Sequence, residues 1–372
     1  MRVAILRRES KASFSMDVYA DGLVKGLKAV RPNWEFIEVS PLINPTEKGK
    51  SGWMRGIWKY YERYWRYPRQ LKNLDADIFH IIDHSDGYLV YWLNKFNKPN
   101  VVTCHDLINL LQPESFQGRA SFPLISMTAW KYAIKGMQET EHIISVSSYT
   151  AKDVVENLDV NPKKITVIPD AVDSVFHPFS AEEIKSFRQQ KGIDSETICL
   201  LNVGSNNSRK NVSTILEVLS VLKNQGLKIH FWKAGADFNS EQKDFIKNHN
   251  LENGITYFGK PDEHTLVRIY SAADVLVSPS LYEGFGMTVL EAMACGTPVI
   301  SSNVTSLPEV AGDAAILVEP KDVQAIAKAV CRLQEDDAYR NSLITKGLAR
   351  AKTFTWENTA EKIVNVYEQI IR

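Results

Sequence analysis

The chain has 372 residues, of which 44% are hydrophobic and 24% charged, and its formal net charge is zero. This length is too great for one ordinary hydrophobic core and suits two domains. The composition is typical of a globular enzyme and argues against a disordered or nucleic-acid-binding protein. The four cysteines form no CxxC pair, and no run of about 18 apolar residues predicts a membrane-spanning helix. We therefore expect a cytoplasmic protein with free thiols and no signal peptide.

Short β-branched runs alternate with helical patterns along the whole chain. In the first half we predict strands at RVAIL, EFIEV, IFHII, NVVTC, HIISVS and ITVIP. In the second half we predict strands at TICLLNV, KIHFWKA, ITYFG, VLVSPS, PVISS and AAILVEP. Strands separated by helices form parallel sheets with helices on both faces. The pattern predicts two doubly wound α/β domains, one at 1–175 joined by a C-terminal helix at 356–372, and one at 190–355.

The segment LYEGFGMTVLEAMACGTPV, residues 281–299, follows a predicted strand, where open parallel sheets bind their ligands. Glu283 lies in the loop and Glu291 in the helix after it, and an ionised carboxylate accepts hydrogen bonds from hydroxyls. Gly284 and Gly286 leave the backbone open to a ligand, and the helix N-terminus suits a phosphate. A nucleotide sugar has hydroxyls at both ends and a diphosphate between them, so it fits all of these features.

This segment, with the serine–proline before it and PEVAGDAA after it, resembles the donor site of retaining glycosyltransferases of family four. The resemblance implies a GT-B fold, in which two Rossmann-like domains face each other across a cleft. It implies that Glu291 binds the ribose diol and that Glu283 contacts hydroxyls of the donor sugar. It further implies sugar and phosphate contacts from Gly284, Phe285, Gly286, Met287 and Thr288, and contacts to the nucleotide base near Gly259 and Lys260.

A basic pair follows the first strand of the second predicted domain. LLNVGSNNSRKNV places Arg209 and Lys210 after Gly204 and before a helix, where two cations can neutralise a leaving diphosphate. Many family members carry an arginine at the position of Ser205, and we expect Arg209 to supply that charge. The alternative is a solvated turn without a ligand role.

Candidate residues of the first domain rest more heavily on the resemblance. It implies that His105 lies beside the donor sugar with Asp106 orienting it, although a lone histidine is often structural. Ser15 stands near the family's first-loop glycine pair, in a loop that meets the acceptor. Ser147 and Ser148 suit either a helix N-cap or a ligand contact. Residues 83–86 suit either an acceptor contact or a solvated loop.

Residues 52–70 carry the densest run of aromatic and basic side chains, at helical spacing. Packing on the first domain, binding at a membrane interface and stacking on a saccharide acceptor all remain open. The Asp-Ala-Asp segment at 75–77 resembles the metal ligands of a different glycosyltransferase fold, but it precedes a strand. We expect no metal and no other cofactor.

These features predict transfer of a hexosyl group with retention of configuration, for which His105, Glu283, Arg209 and Lys210 form the expected catalytic group. We expect UDP-glucose as donor, and a saccharide or lipid-linked saccharide acceptor in envelope or exopolysaccharide synthesis. The inner membrane face is a second expected location, through residues 52–70. The alternatives are a nucleotide-sugar epimerase of the same fold or a non-catalytic subunit of a glycan assembly complex. No GxGxxG follows the first strand, which argues against a dinucleotide oxidoreductase.

Overall fold

All twelve predicted strands form, six in each of two parallel sheets. The structure is a computed structural model that describes residues 1–9, 14–41, 58, 60–112 and 123–372. The chain divides into two compact units, Met1–Ala171 with Trp356–Arg372, and Val172–Thr355. No helix within those described ranges is long and apolar enough to cross a membrane.

The first unit is built on a parallel sheet with strand order β2-β1-β3-β4-β5-β6. Its strands are β1 (Arg2–Leu6), β2 (Glu35–Val39), β3 (Ile78–Ile81), β4 (Asn100–Cys104), β5 (His142–Ser145) and β6 (Ile165–Val167). Its helices are α1 (Phe14–Val30), α2 (Tyr67–Lys72), α3 (Leu89–Lys95), α4 (Ile108–Leu111), α5 (Pro123–Glu139), α6 (Ser148–Leu158) and the C-terminal α15 (Trp356–Ile371). A π-helical turn, Glu62–Arg66, precedes α2, and 3₁₀ turns lie at His84–Asp86 and Pro162–Lys164.

The C-terminal helix α15 packs directly against α1. Two glycines in α1 make this approach possible, because a Cβ on Gly22 would lie 2.1 Å from the Trp356 ring. A Cβ on Gly26 would lie 2.4 Å from the Trp356 carbonyl oxygen. Trp356, Ile363 and Tyr367 are buried in the core that they share with α1 and the sheet. The last helix is therefore part of the first unit, although it follows the last strand of the second.

The second unit is built on a parallel sheet with strand order β12-β11-β10-β7-β8-β9. Its strands are β7 (Ile198–Gly204), β8 (Ile229–Gly235), β9 (Ile255–Gly259), β10 (Val275–Ser278), β11 (Val299–Ser302) and β12 (Ile316–Val318). Its helices are α7 (Ala181–Gln190), α8 (Val212–Asn224), α9 (Ser240–Asn248), α10 (Glu263–Ala272), α11 (Met287–Ala294), α12 (Leu307–Ala311), α13 (Val323–Glu335) and α14 (Asp337–Ala351). Two 3₁₀ turns, Ser208–Lys210 and Glu252–Gly254, precede α8 and β9.

The aromatic-basic segment at 52–70 is described only at residue 58 and from residue 60 onward. Tyr67 is fully buried, and the Tyr64 ring lies 4.5 Å from the Tyr88 ring. Tyr61 and Trp65 remain 39% and 43% exposed. One part of the segment therefore packs on the first unit and another part faces solvent, and residues 52–57 and 59 lie outside the described residues.

Candidate functional site

Glu283 lies in the loop between β10 and α11, where two cations and a hydroxyl surround its buried carboxylate. Lys210 Nζ lies 2.5 Å from Oε1, and Arg209 Nη1 lies 2.7 Å from Oε2. The hydroxyl of Ser280 donates to Oε1 at 2.8 Å. Burial alone would raise the pKa of Glu283, but Lys210 and Arg209 outweigh that effect and lower it to about 2. Glu283 is thus a carboxylate at all physiological pH values, and the basic pair is no solvated turn.

The backbone of this loop is held by hydrogen bonds from two other segments. Arg209 Nη1 also donates to the Tyr282 carbonyl oxygen at 2.9 Å. The Ser306 hydroxyl contacts the carbonyl oxygens of Glu283 at 2.9 Å and Phe285 at 2.8 Å. Thr305 Oγ1 accepts from the Glu283 amide at 3.2 Å, with Thr305 held at φ +58°, which is uncommon for a β-branched residue. These bonds fix the position of the Glu283 carboxylate before any ligand arrives.

Gly286 is the N-cap of α11 and its φ of +118° is one that side chains rarely adopt. A Cβ at this position would lie 2.8 Å from Leu307 Cδ2. The N-cap supplies no side-chain hydrogen bond, and Met287 and Thr288 in the first turn are partly exposed. Phe285 packs inward with its ring 5.9 Å from that of Phe354. Backbone amides, rather than the Phe285 ring, are therefore the groups that this turn can offer to an anion.

Glu291 lies on α11 and accepts a hydrogen bond from the Tyr270 hydroxyl at 2.6 Å. Burial raises the pKa of Glu291 to about 7, and the Tyr270 hydrogen bond limits that rise. The two acids of the motif therefore differ in kind. Glu283 is a fixed, ion-paired carboxylate, whereas Glu291 gains and loses its proton near neutral pH. Tyr270 comes from α10 and was not among the predicted site residues.

The remaining predicted residues of this unit also follow strands of the same sheet. Gly204 ends β7 at φ +133°, and a Cβ there would lie 3.6 Å from Lys210 Cε. Gly259 ends the edge strand β9 at φ +63°, and Lys260 after it is exposed. A lysine that the sequence analysis overlooked, Lys233 in β8, is fully buried beside Gly204.

His105 of the first unit is buried after β4, and its Nε2 lies 2.9 Å from the Ile82 carbonyl oxygen. The Tyr19 ring meets it edge-on with centroids 4.6 Å apart. Asp106 Oδ1 accepts from the Ile108 amide at 3.1 Å in the turn that precedes α4, and an orienting role of Asp106 toward His105 stays a prediction. The bond to the Ile82 carbonyl oxygen requires a proton on Nε2.

Other first-unit predictions have mixed outcomes. Residues 83–86 are not a solvated loop, because Asp83 and Asp86 are buried and pair with Arg8 at 3.0 Å and Arg63 at 2.5 Å. Ser147 is the N-cap of α6 and accepts from the Thr150 amide. Ser15 lies exposed in the first turn of α1.

The Asp-Ala-Asp segment at 75–77 precedes β3, and Asp77 Oδ2 accepts from the Arg2 amide at 2.7 Å at the start of the neighbouring strand β1. Across the part of the chain that the structure describes, no group of three histidine, cysteine or acidic side chains could hold a metal ion.

Two family models match the chain. Residues 31–176 match "Glycosyltransferase Family 4" and residues 183–350 match "Glycosyl transferases group 1". The chain is similar to O-antigen chain mannosyltransferase B of Escherichia coli, with 31% identity over 246 residues and 64% of each chain covered. It is similar to the serotype-specific mannosyltransferase WbdA of Escherichia coli, with 29% identity over 315 residues that cover 81% of this chain and 38% of WbdA. It thus spans less than two thirds of the length of either relative.

Solved structures of the same fold cover the whole chain. Sucrose-phosphate synthase from Thermosynechococcus elongatus superposes with a TM-score of 0.78 at 22% identity, over 100% of this chain and 99% of that one. Anabaena HepE in complex with UDP and glucose superposes with a TM-score of 0.76 at 16% identity, over 99% of each chain. At these identities the likeness concerns the fold, and it confirms the predicted GT-B class with two Rossmann-like domains.

Proposed function

Because the chain belongs to the family four glycosyltransferases, we propose that it transfers a hexosyl group from a nucleotide diphosphate sugar to a hydroxyl of a saccharide or lipid-linked saccharide. The observation that carries the proposal is the cluster of Glu283, Arg209 and Lys210 beside the N-terminus of α11. Two cations and a row of amides form a site for a dianionic diphosphate. Glu283 and Glu291 on either side of it supply acceptors for the hydroxyls of a sugar and a ribose.

In the proposed mechanism the acceptor oxygen bonds to the anomeric carbon on the face from which the diphosphate leaves. The bond from that carbon to the diphosphate oxygen breaks, and the leaving phosphate takes the acceptor's proton, so configuration is retained. Without ligand, Glu283 neutralises Arg209 and Lys210. A bound diphosphate would share these cations, which stabilise its developing charge as it leaves. Glu283 would hold the sugar as it gains oxocarbenium character, and a role for His105 in the same step stays a prediction.

The identity of the donor is the finer part of the proposal. The names of the Escherichia coli relatives support a mannosyl donor, whereas the expected glucosyl donor rested on family frequency alone. HepE, which shares the fold at 16% identity, is described in complex with UDP and glucose, so uridine nucleotides belong among the ligands to test. We therefore place mannosyl transfer ahead of glucosyl transfer and test uridine and guanosine nucleotides together. The proposed setting is synthesis of an O-antigen-like polysaccharide in the cytoplasm.

The exposed rings of Tyr61 and Trp65 lie 5.1 Å apart, and the Arg69 guanidinium sits 3.2 Å from the centre of the Trp65 ring. This arrangement supports a role for the solvent-facing part of 52–70 in contact with the membrane surface or a lipid-linked acceptor. Co-sedimentation with vesicles of anionic lipid tests the membrane contact, which is lost in Trp65→Ala if this proposal is right.

Nucleotide binding can be tested by thermal unfolding with UDP-glucose, GDP-mannose, UDP and GDP, with and without EDTA. A ligand at one hundred times its dissociation constant stabilises the folded state by about 2.7 kcal/mol. We expect one base to raise the Tm without any effect of EDTA. Glu291→Ala should lose most of that rise, and Glu217→Ala, an exposed glutamate on α8, should keep it. No rise with any nucleotide would refute the proposed function, and an equal rise in Glu291→Ala would refute the ribose contact alone.

A further inference from the structure

Lys233 is a lysine in the interior of a parallel sheet. It lies on β8 opposite Asn202 of β7, in a ladder that runs to the pair Gly204 and Gly235. The pairing of β8 with β9 shifts register between Lys233 and Ala234, which marks an irregularity of the kind that re-aims side chains near functional sites. The Lys233 side chain reaches the carboxyl end of the sheet. There β7 ends and the segment 204–211, called the Gly204 loop below, begins.

The ammonium group of Lys233 is only partly satisfied. Its Nζ lies 3.0 Å from the Gly204 carbonyl oxygen and 3.1 Å from that of Ala234. An ammonium has three N–H donors, and the third has no partner among the described residues. The neighbouring Asn202 donates to the Val277 carbonyl oxygen at 3.1 Å, but its Oδ1 is buried with no partner. A buried charge normally has a counter-ion and complete hydrogen bonding, and Lys233 has neither.

The surrounding charges leave this end of the sheet short of negative charge. Glu283 is the acid that pairs with Arg209 and Lys210. The charged groups that act on Lys233 are Lys210 and Asp237, and Asp237 Oδ2 is already 2.6 Å from Lys243 Nζ. Burial, followed by repulsion from Lys210, lowers the pKa of Lys233 to about 8. The three cations Arg209, Lys210 and Lys233 are thus accompanied by one carboxylate, that of Glu283. The excess of positive charge suits an incoming group with about two negative charges.

We propose that Lys233 is a third cation of the donor site, a positioning residue below the Gly204 loop whose counter-charge arrives with the diphosphate. This inference rests on the proposed function and adds a residue to it. Lys233 holds the Gly204 carbonyl oxygen, and through its charge it attracts the phosphates that Arg209 and Lys210 contact. Binding of the diphosphate raises the proton affinity of Lys233, so nucleotide binding and protonation are coupled.

The test compares Lys233→Met with Lys223→Met. Lys223 is an exposed lysine in the last turn of α8, and its ammonium donates to the Asn250 carbonyl oxygen. Calorimetric titration with UDP and GDP should show at least about a tenfold loss of affinity in Lys233→Met and no change in Lys223→Met. Uridine and guanosine, which carry no phosphate, should bind equally to both variants and the wild type. Equal nucleotide affinity in Lys233→Met would overturn the proposal and leave Lys233 as a tether of the loop.

A second measurement uses only the wild-type protein and does not depend on the folding of the variant. The affinity for UDP or GDP should fall about four- to eightfold between pH 7.5 and 9.0, because the free ammonium deprotonates near pH 8. At pH 8 titrations in two buffers of different ionisation enthalpy should show uptake of about half a proton per nucleotide. Nucleotide binding without proton uptake would overturn the role of Lys233 alone. Absence of binding by either nucleotide would overturn the proposed function with it.

Discussion

Replacement of Glu283 by glutamine removes the counter-ion of two cations and should destabilise the ligand-free protein. The carboxyl has its pKa lowered from 4.5 to about 2 by Lys210 and Arg209. One pKa unit corresponds to about 1.4 kcal/mol, so the ion pairs favour the ionised folded state by about 3 kcal/mol. Because the folded pKa is depressed, this stabilisation is complete above the unfolded pKa of 4.5 and is lost as the pH falls toward 2. At pH 3 about half of it should remain.

Urea unfolding followed by circular dichroism at pH 7, 5 and 3 measures this difference. Glu283→Gln should lose about 3 kcal/mol at pH 7, and its difference from wild type should narrow by pH 3. The matched control is Asp313→Asn, which removes an exposed ion pair to Lys346 at 2.9 Å and should leave the stability nearly unchanged because solvent screens such a pair. Added UDP or GDP should restore more stability to Glu283→Gln than to wild type. A loss below about 1 kcal/mol at pH 7 would refute the reasoning, because the cations would then not depend on this carboxylate.

Three further variants probe the site. Glu291→Gln should raise the free energy of unfolding by about 3 kcal/mol at pH 8 and hardly at all at pH 4.5. The reason is that the folded pKa is raised from 4.5 to about 7, so ionisation of Glu291 destabilises the folded state increasingly between pH 4.5 and 7 and fully above pH 7. Urea unfolding at both pH values checks this, and an equal effect at both would contradict it. Gly286→Ala should lower the free energy of unfolding by about 1–3 kcal/mol, because φ is +118° at this position and the new Cβ would meet Leu307. The control Gly254→Ala, whose Cβ would make only an ordinary contact, should lower it less. Equal urea midpoints for the two variants would argue against strain at Gly286. His105→Ala should lower the transfer rate at least about tenfold with little change in nucleotide affinity, and a rate equal to wild type would remove this residue from the catalytic group.

The strands could be predicted from the sequence because strands buried on both faces of a parallel sheet are short, nearly continuous apolar runs. RVAIL and VLVSPS both have this form, and both lie at the expected places in their sheets. The placement of Glu283 after a strand and Glu291 on the following helix also needed only local sequence. These features depend on neighbouring residues, which a sequence displays directly.

The partners of the site residues could not be predicted in the same way. Tyr270 lies 21 positions from Glu291, and Arg209 lies 74 positions from Glu283. The sequence of residues 83–86 is that of a polar loop. Arg8, 75 positions away, nevertheless pairs with Asp83 and offsets the cost of burying its charge. Such pairs are formed by the fold, so their members give no local signal.

Lys233 is an intermediate case, because the sequence contained a usable signal. In KIHFWKAG it stands two positions after Phe231, so strand alternation assigns both side chains to one face of the sheet. Phe231 is in the core of the second unit, and a lysine on the same face requires a reason for its burial. The apolar residues of this segment identify the strand, and the lysine among them is the signal of a buried charge.

The most direct test of retaining hexosyl transfer is to incubate the purified protein with GDP-mannose or UDP-glucose and a panel of saccharide acceptors, and to analyse the products by NMR. We expect a glycoside that keeps the anomeric configuration of the donor, formed equally well in EDTA and lost in Glu283→Gln. An inverted product would contradict the retaining mechanism. Release of a free sugar isomer without any acceptor would indicate an epimerase, and no reaction with any donor and acceptor would favour a non-catalytic subunit.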